Sequence, residues 1–178
     1  PNPTAPKGGV STIKEILMKR FISIILIGVL LAFLLFGQSK PVPHFSSSDL
    51  DGRTVADTNL YGKISFINFW FPSCPGCVRE MPKVVKMSQD YRQQPNFQVI
   101  GIAQPYDSLD NVKNYVQSRH IDFPIVYDRQ HVIARAFGTQ VYPTSVLIGK
   151  RGQILKTFVG EPDFDALYRE INEELKKI

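Results

Sequence analysis

Residues 63–82 read KISFINFWFPSCPGCVREMP, and this stretch decides the fold. Its first part, residues 63–71, is an almost continuous run of apolar and β-branched residues, which is typical of a central strand covered on both faces. From Cys77 to about Tyr91, apolar residues recur close to the helical period. The stretch therefore predicts a buried strand that turns directly into a helix.

The only two cysteines of the chain, Cys74 and Cys77, lie where this helix begins. Unpaired N–H groups and the positive end of the helix dipole stabilise an anion there, so we expect a lowered pKa for Cys74, the predicted nucleophile. Cys77 lies one turn into the helix, within reach of a disulfide, and is predicted to resolve the mixed disulfide. So short a loop restrains the unfolded chain little, which indicates chemistry and not a structural crosslink.

The composition is that of a packed globular domain with a short appendage. The chain has 178 residues, of which 43% are hydrophobic and 21% charged. Two cysteines are too few for a structural disulfide framework. The net charge is +5, but no basic cluster stands on a predicted helix face of the domain, so we expect no nucleic-acid binding.

The N-terminal region contains an uncharged apolar run at residues 21–36, preceded by basic residues. We predict a cytoplasmic, disordered segment at residues 1–20, a signal-anchor transmembrane helix at 21–38, and a globular domain at 40–178 in an oxidising, extracytoplasmic compartment. A cleaved signal peptide is an alternative, although no Ala-x-Ala-like site follows the run. A buried core helix is a third interpretation.

The rest of the chain alternates strand and helix patterns. This predicts an α/β sandwich with a mostly parallel sheet and an antiparallel hairpin at its end. The further predicted strands cover residues 45–48, 53–55, 97–103, 124–127, 144–148 and 154–159, and the further helices cover 108–119, 130–137 and 163–176.

Residues 68–82 resemble the active-site segment of thioredoxin-fold proteins, in detail that of the TlpA/ResA-type membrane-anchored thioredoxins. Pro82 fits the proline of the family's active-site helix, and residues 104–137 match the inserted helix–strand segment of this branch. The resemblance covers about residues 40–178. It implies a thioredoxin-like three-layer sandwich, with a central mixed sheet, helices on both faces, an N-terminal β-hairpin and one preceding transmembrane helix.

Tyr142-Pro143-Thr144 matches the family's cis-proline loop. By resemblance, the backbone of Tyr142 would bind an extended substrate chain beside the disulfide. An ordinary turn before a strand is the alternative for Pro143. The implied substrate-binding residues are Tyr142, Pro143, Thr144, Pro75, Gly76 and Trp70, although for Trp70 core packing is the favoured interpretation.

Glu80 lies three residues after Cys77 and so on the same helical face. The resemblance implies an acid/base group beside the buried thiol, and a solvated glutamate paired with Lys83 is the alternative. Minimal thioredoxins carry a buried Asp where this chain has Asn68, so Glu80 is the only carboxylate nearby in sequence. Ser73 stands where the family usually has Trp, which removes an aromatic wall and is expected to expose the sulfur more.

These features predict a thiol–disulfide oxidoreductase that acts on protein thiols as a monomer, with no cofactor or metal beyond the Cys74–Cys77 pair. The leading form is a disulfide reductase kept reduced by a membrane electron-donor oxidoreductase. The resemblance implies apocytochrome c as a substrate, in cytochrome c maturation. An oxidase that introduces disulfides is the rival, and the reduction potential separates the two.

Two other function classes use a cysteine pair but fit this sequence less well. A peroxiredoxin-like peroxidase needs Thr or Ser three residues before its reactive cysteine, and Phe71 occupies that position before Cys74. A cysteine-based copper or zinc chaperone would supply more ligands than this pair, because zinc normally takes four. No second Cys-x-x-Cys exists, and the three histidines have no finger-like spacing.

Overall fold

The structure is a computed structural model that describes residues 9–36 and 40–177. The chain divides after residue 38 into two units, each described by itself. The first contains helix α1, Gly9–Phe36. Within the described residues, no helix combines the length and the apolarity needed to cross a membrane. The predicted span covers residues 21–38, of which residues 37 and 38 lie outside the described residues. The side chains of residues 30–36 lie outside them as well.

The second unit alternates strands and helices in the predicted order. A 3-10 turn at Asp57–Leu60 is an addition to the prediction, and the predicted boundaries of the other elements agree with the structure to within two residues. The elements are β1 (Ser46–Ser48), β2 (Thr54–Ala56), β3 (Ile64–Trp70), α2 (Pro75–Asp90), β4 (Phe97–Ala103), α3 (Leu109–Ser118), β5 (Ile125–Tyr127), α4 (Val132–Ala136), β6 (Thr144–Ile148), β7 (Ile154–Val159) and α5 (Phe164–Lys176).

The central sheet has the strand order β5-β4-β3-β6-β7. Strands β3, β4 and β5 are parallel, whereas β6 is antiparallel to β3 and to β7. Every residue of β3 is buried, which confirms the predicted central strand. Strands β1 and β2 form the predicted N-terminal hairpin as a separate two-stranded sheet. The result is the mixed sheet that the family resemblance implied.

Hydrophobic clusters cover both faces of this sheet. One cluster holds the inner faces of α2, α3 and α5, including Met81, Val112 and Leu167. The other holds the N-terminal hairpin and α4, including Val55 and Ile133. The alternate side chains of β3 point into the two clusters in turn, and this two-sided burial gives the three layers of the sandwich.

One edge of the sheet collects the chain segments that form the site. The last residue of β3, Trp70, pairs in register with the last residue of β4, Ala103, because the two strands are parallel. Strand β6 runs the opposite way, so its first residue, Thr144, lies opposite Phe69. The N–H of Gln104 donates to the carbonyl of Trp70 at 2.8 Å, which ties the loop after β4 to the loop after β3.

The core predicts a contrast between two strand substitutions. Leu147 in β6 is 0% exposed, whereas Val159 in β7 is 69% exposed. Leu147→Ala leaves a cavity and is expected to lower the free energy of unfolding by about 2–5 kcal/mol, and the matched change Val159→Ala by less than about 1 kcal/mol. Urea unfolding measures both. Similar losses for the two variants would contradict the described packing.

Candidate active site

The cysteine pair lies at the start of α2, as predicted. Cys74 is the N-cap residue, with extended backbone angles, and Pro75 occupies the first helical turn. The Cys77 N–H donates to the Cys74 Sγ atom at 3.2 Å. The two residues form a disulfide, with their Cα atoms 5.2 Å apart. The helix N-terminus therefore lies directly at the sulfur of Cys74.

Both cysteines are buried in this oxidised form, Cys74 at 5% exposure and Cys77 at 2%. Cys74 is thus covered in the disulfide even with Ser73 beside it, and the expectation that Ser73 exposes the sulfur more than a Trp would stays a prediction. Cys74 is covered because it belongs to the core cluster on the α2 face, and the partly buried rings of Phe71 and Tyr142 pack against that cluster. The order of attack, Cys74 before Cys77, stays a prediction.

The Tyr142–Pro143 peptide bond is cis, as predicted, and the proline lies against the cysteine pair. A Cβ atom built on Gly76 would come within 3.0 Å of Pro143 Cδ, closer than side-chain carbons normally pack. Glycine at position 76 therefore lets the loop approach the disulfide. The Thr144 hydroxyl donates to the carbonyl of Val141 at 2.7 Å and stabilises the loop from within.

The Tyr142 side chain points into the protein and joins a polar group behind the loop. Its hydroxyl donates to Gln104 Oε1 at 3.2 Å, and burial raises the pKa of Tyr142 to about 12. His131 Nδ1 lies 2.8 Å from the same oxygen of Gln104. The buried Gln104 therefore connects the end of β4 to the cis-proline loop, a role that the sequence did not reveal.

Glu80 is buried, with 1% of its surface exposed. Its Oε1 atom accepts hydrogen bonds from Asn68 Nδ2 and from the Ser145 hydroxyl, each at 3.3 Å. Asn68 Nδ2 also donates to the Ser145 hydroxyl at 2.9 Å. Oε2 is buried and has no hydrogen-bond partner among the described residues. Both donors therefore fix one oxygen of Glu80 and leave the other available for a proton.

Burial raises the pKa of Glu80 to about 7. The Ser145 hydrogen bond opposes this shift, and of the two nearest charges Glu161 adds to it while Lys83 opposes it. Lys83 forms its ion pair with Glu161, so the alternative of a solvated Glu80 paired with Lys83 was wrong. A carboxyl group that titrates near neutral pH is suited to accept and return a proton.

Trp70 lies in the core and not on the surface. It is 1% exposed, and its ring centroid lies 5.2 Å from that of Tyr115. This placement fits the packing interpretation, because a substrate contact requires an accessible surface. Pro75 is exposed and Gly76 partly buried, so these two residues border the pair on its solvent side.

A tether between two loops was missed at the sequence level. The Ser73 N–H and hydroxyl both donate to Asp107 Oδ2, at 2.8 and 2.9 Å. The available signal was that loops after adjacent parallel strands meet at one edge of a sheet. The strand pattern therefore predicts that the loop after β4 lies beside Ser73, but it does not predict which residue of that loop binds Ser73. Ser145 was missed in the same way, as a polar residue within a predicted strand.

An aromatic group lines the same edge. The ring of Tyr106 lies 4.7 Å from that of Phe71 and 5.7 Å from that of Tyr142, measured between centroids. Tyr106 is 57% exposed. The site thus consists of a buried disulfide and carboxyl group below a rim of rings and prolines. Among the residues that the structure describes, no group of three or more His, Cys, Asp or Glu side chains could hold a metal ion.

The profile of the Redoxin family matches residues 38–171. The chain belongs to the Redoxin family. A thiol-disulfide oxidoreductase ResA from Halalkalibacterium halodurans is 34% identical over 117 residues, which are 66% of this chain and 65% of that relative. The ResA protein of Bacillus thuringiensis subsp. konkukian is 33% identical over 140 residues, 78% of this chain and 77% of the relative.

A solved structure extends this likeness. The solution structure of a protein from Neisseria meningitidis, assigned to the thioredoxins, superposes with a TM-score of 0.73 at 54% identity, over 79% of this chain and 93% of the other. This agrees with the thioredoxin-like α/β fold of the domain. The Redoxin-family domain is a thiol–disulfide oxidoreductase of the ResA type, with Cys74 and Cys77 as its disulfide.

The buried carboxyl group predicts a pH-dependent stability. Burial raises the pKa of Glu80 in the folded state to about 7, whereas in the unfolded chain the group loses its proton near its ordinary pKa of 4.5. Between pH 4.5 and about 7, the folded state therefore binds more protons than the unfolded state. The free energy of unfolding of the oxidised wild type should then fall by about 3 kcal/mol as the pH rises through this window. Glu80→Gln should lack this fall.

Urea unfolding of both oxidised proteins at pH values from 4.5 to 8 measures the difference. If the unfolding free energies of the wild type and Glu80→Gln run parallel across this pH range, Glu80 titrates normally in the folded protein. The linkage argument would then be wrong, whatever the absolute stability of the variant.

Proposed function

We propose that the domain is a disulfide reductase in which Cys74 attacks, Cys77 resolves and Glu80 handles the proton. The observation that carries the proposal is the arrangement around α2. The disulfide lies at the helix N-terminus, Pro143 lies over it at Gly76, and the buried Glu80 follows one turn behind Cys77. The helix N-terminus suits the attack by Cys74, the Pro143 loop suits substrate binding, and Glu80 suits the proton transfer from Cys77.

In the first step, the Cys74 thiolate attacks one sulfur of a substrate disulfide. A bond forms between Cys74 Sγ and that sulfur, and the second substrate sulfur leaves as a thiolate. The N-terminus of α2 stabilises the attacking anion before the bond forms. The product of this step is a mixed disulfide between the domain and its substrate.

In the second step, Cys77 gives its proton to Glu80 and attacks Cys74 Sγ. The Cys74–Cys77 bond forms, the mixed disulfide breaks, and the second substrate thiolate leaves. Two electrons have then passed from the cysteine pair to the substrate, whose thiolates take up protons. Glu80 is suited to this role because its pKa of about 7 lets it accept a proton near neutral pH and release it again.

The substrate is proposed to lie along the cis-proline loop. An extended chain can pair with the backbone of Tyr142, while Pro143 and Thr144 hold the loop against the cysteine pair. The exposed Pro75 and the partly buried Gly76 border the same surface. The substrate class is therefore a protein disulfide in an accessible, extended segment, such as the haem-site cysteines of an apocytochrome c.

We further propose that the domain works on the outer face of the cytoplasmic membrane, held by residues 21–38. The uncharged run at residues 21–36 and the basic residues before it support this orientation. In the part of α1 whose side chains are described, large apolar residues such as Phe21 and Ile24 are about two-thirds exposed, at 67% and 66%. A membrane-bound electron donor would reduce the cysteine pair there.

The exchange mechanism predicts the behaviour of two cysteine variants. Cys77→Ser keeps the attacking thiolate but cannot resolve, so it should accumulate mixed disulfides with the natural substrate. Mass spectrometry of these adducts after expression of the full chain identifies the partner. Cys74→Ser is the matched control and should trap far less and lose turnover with insulin. An absence of any Cys77→Ser adduct in the native membrane would contradict the proposed function.

The anchor predicts a membrane-bound full-length chain. The wild type should sediment with membranes and resist a carbonate wash, whereas a chain lacking residues 21–38 should appear in the soluble fraction with its disulfide exchange intact. Protease added to intact spheroplasts should digest the domain. A washed-off wild type, or a domain protected from the protease, would contradict the anchor or its orientation.

A further inference from the structure

A carboxylate is fixed next to the attacking cysteine. Both the N–H and the hydroxyl of Ser73 donate to Asp107 Oδ2, at 2.8 and 2.9 Å. The Tyr127 hydroxyl donates to the backbone carbonyl of Asp107 at 2.9 Å and holds the residue from the other side. None of the ion pairs found among the described residues includes Asp107. Its charge is thus held by neutral donors and not neutralised by a cation.

This carboxylate and the Cys74 thiolate are like charges at close range. Asp107 Oδ2 lies 2.8 Å from the Ser73 nitrogen. Ser73 and Cys74 are neighbours in the chain, and consecutive Cα atoms are about 3.8 Å apart, so the two anions lie within roughly 11 Å of each other. A nearby negative charge disfavours ionisation of the thiol. The N-terminus of α2 favours it. The thiolate at Cys74 therefore experiences two opposing influences.

We propose that Asp107 restrains ionisation of Cys74 and thereby lowers the reduction potential of the cysteine pair, which makes the reduced protein the stronger reductant. A strongly stabilised thiolate favours the reduced form and gives an oxidant. Asp107 acts against that stabilisation. The inference rests on the proposed dithiol chemistry and deepens it, because it gives a physical reason for electrons to flow from this pair to the substrate.

Ser73 has a defined part in this arrangement. Its hydroxyl supplies the second of the two hydrogen bonds to Asp107 Oδ2. A Trp at this position, as is usual in the family, would keep the N–H donor but could not supply the hydroxyl. Ser73 therefore adds a second hydrogen bond that holds the Asp107 carboxylate beside Cys74.

The charge effect has a pH signature, because Asp107 acts only on the ionised form of Cys74. Reduction takes up two electrons and two protons when both cysteines become thiols, and one proton fewer when Cys74 becomes a thiolate. In a dithiothreitol redox buffer the electrons come from dithiothreitol, which closes to its own disulfide. A variant that lacks the charge should therefore differ from the wild type at high pH and match it at low pH.

Asp107→Asn is the decisive variant, since the amide oxygen can still accept both bonds from Ser73 while the charge is removed. We expect the midpoint of the pH profile for Cys74 alkylation to fall by about half a unit, a threefold change in the thiol–thiolate equilibrium. The reduction potential should rise by about 15 mV above that midpoint and not at all well below it, at about 30 mV per tenfold change. Glu173→Gln, an equal charge change on the exposed part of α5, should change neither value.

Asp107→Glu separates charge from hydrogen bonding. It retains the carboxylate, so its midpoint should stay near that of the wild type even where the Ser73 bonds are weakened. If Asp107→Glu shifts as Asp107→Asn does, a carboxylate at position 107 does not by itself hold the midpoint at the wild-type value, and the inference is overturned. It is also overturned if Asp107→Asn leaves both values unchanged, or shifts the potential equally at all pH values.

Both measurements use the purified protein and small thiol reagents, without any protein substrate. A failure to trap substrate with Cys77→Ser would contradict the proposed function but would not affect what the pH profile of Asp107→Asn shows about Asp107. Equal potentials for the wild type and Asp107→Asn would contradict the role of Asp107 and leave the trapped adducts in place. The two proposals can therefore fail independently.

Discussion

The site depends on the burial of β3 at the centre of the sheet. Because both faces of this strand are covered, its carboxyl end is fixed in position, and the helix that follows must begin at that edge. The parallel neighbour β4 ends at the same edge, and the antiparallel β6 begins there. One constraint thus brings three loops to the cysteine pair, one carrying the pair itself, one carrying Asp107 and one carrying Pro143.

Burial sets the chemistry of the polar groups below this edge. An ionised carboxyl group in a dry core is costly, so Glu80 holds its proton to a higher pH than it would in water. Asn68 and Ser145 reduce this cost without removing it, because they satisfy one oxygen and leave the other without a partner. The oxygen without a partner is where the proposed mechanism places the proton.

Two electrostatic influences act on Cys74 with opposite effects on its ionisation. The N-terminus of α2 favours a negative sulfur at Cys74, while Asp107 beside Ser73 opposes it. Glu80 lies on the helical face of Cys77 and is the proposed proton acceptor for the deeper thiol. In the proposed mechanism, the balance at Cys74 sets how strongly the pair reduces, and Glu80 sets how readily the mixed disulfide is resolved.

The sequence by itself determined the order of the elements, the central strand, the position of Cys74 at the helix start and the cis-proline loop. The elements and the helix start follow from hydrophobic period and helix capping, whereas the cis-proline loop was implied by the family resemblance of residues 142–144. Only the tertiary structure decided which side chains meet. Asp107 lies 34 residues from Ser73, and Ser145 lies 65 from Glu80. Such pairs arise from strand order and register, which no local pattern specifies, and they supply the charges and hydrogen bonds that tune the cysteines.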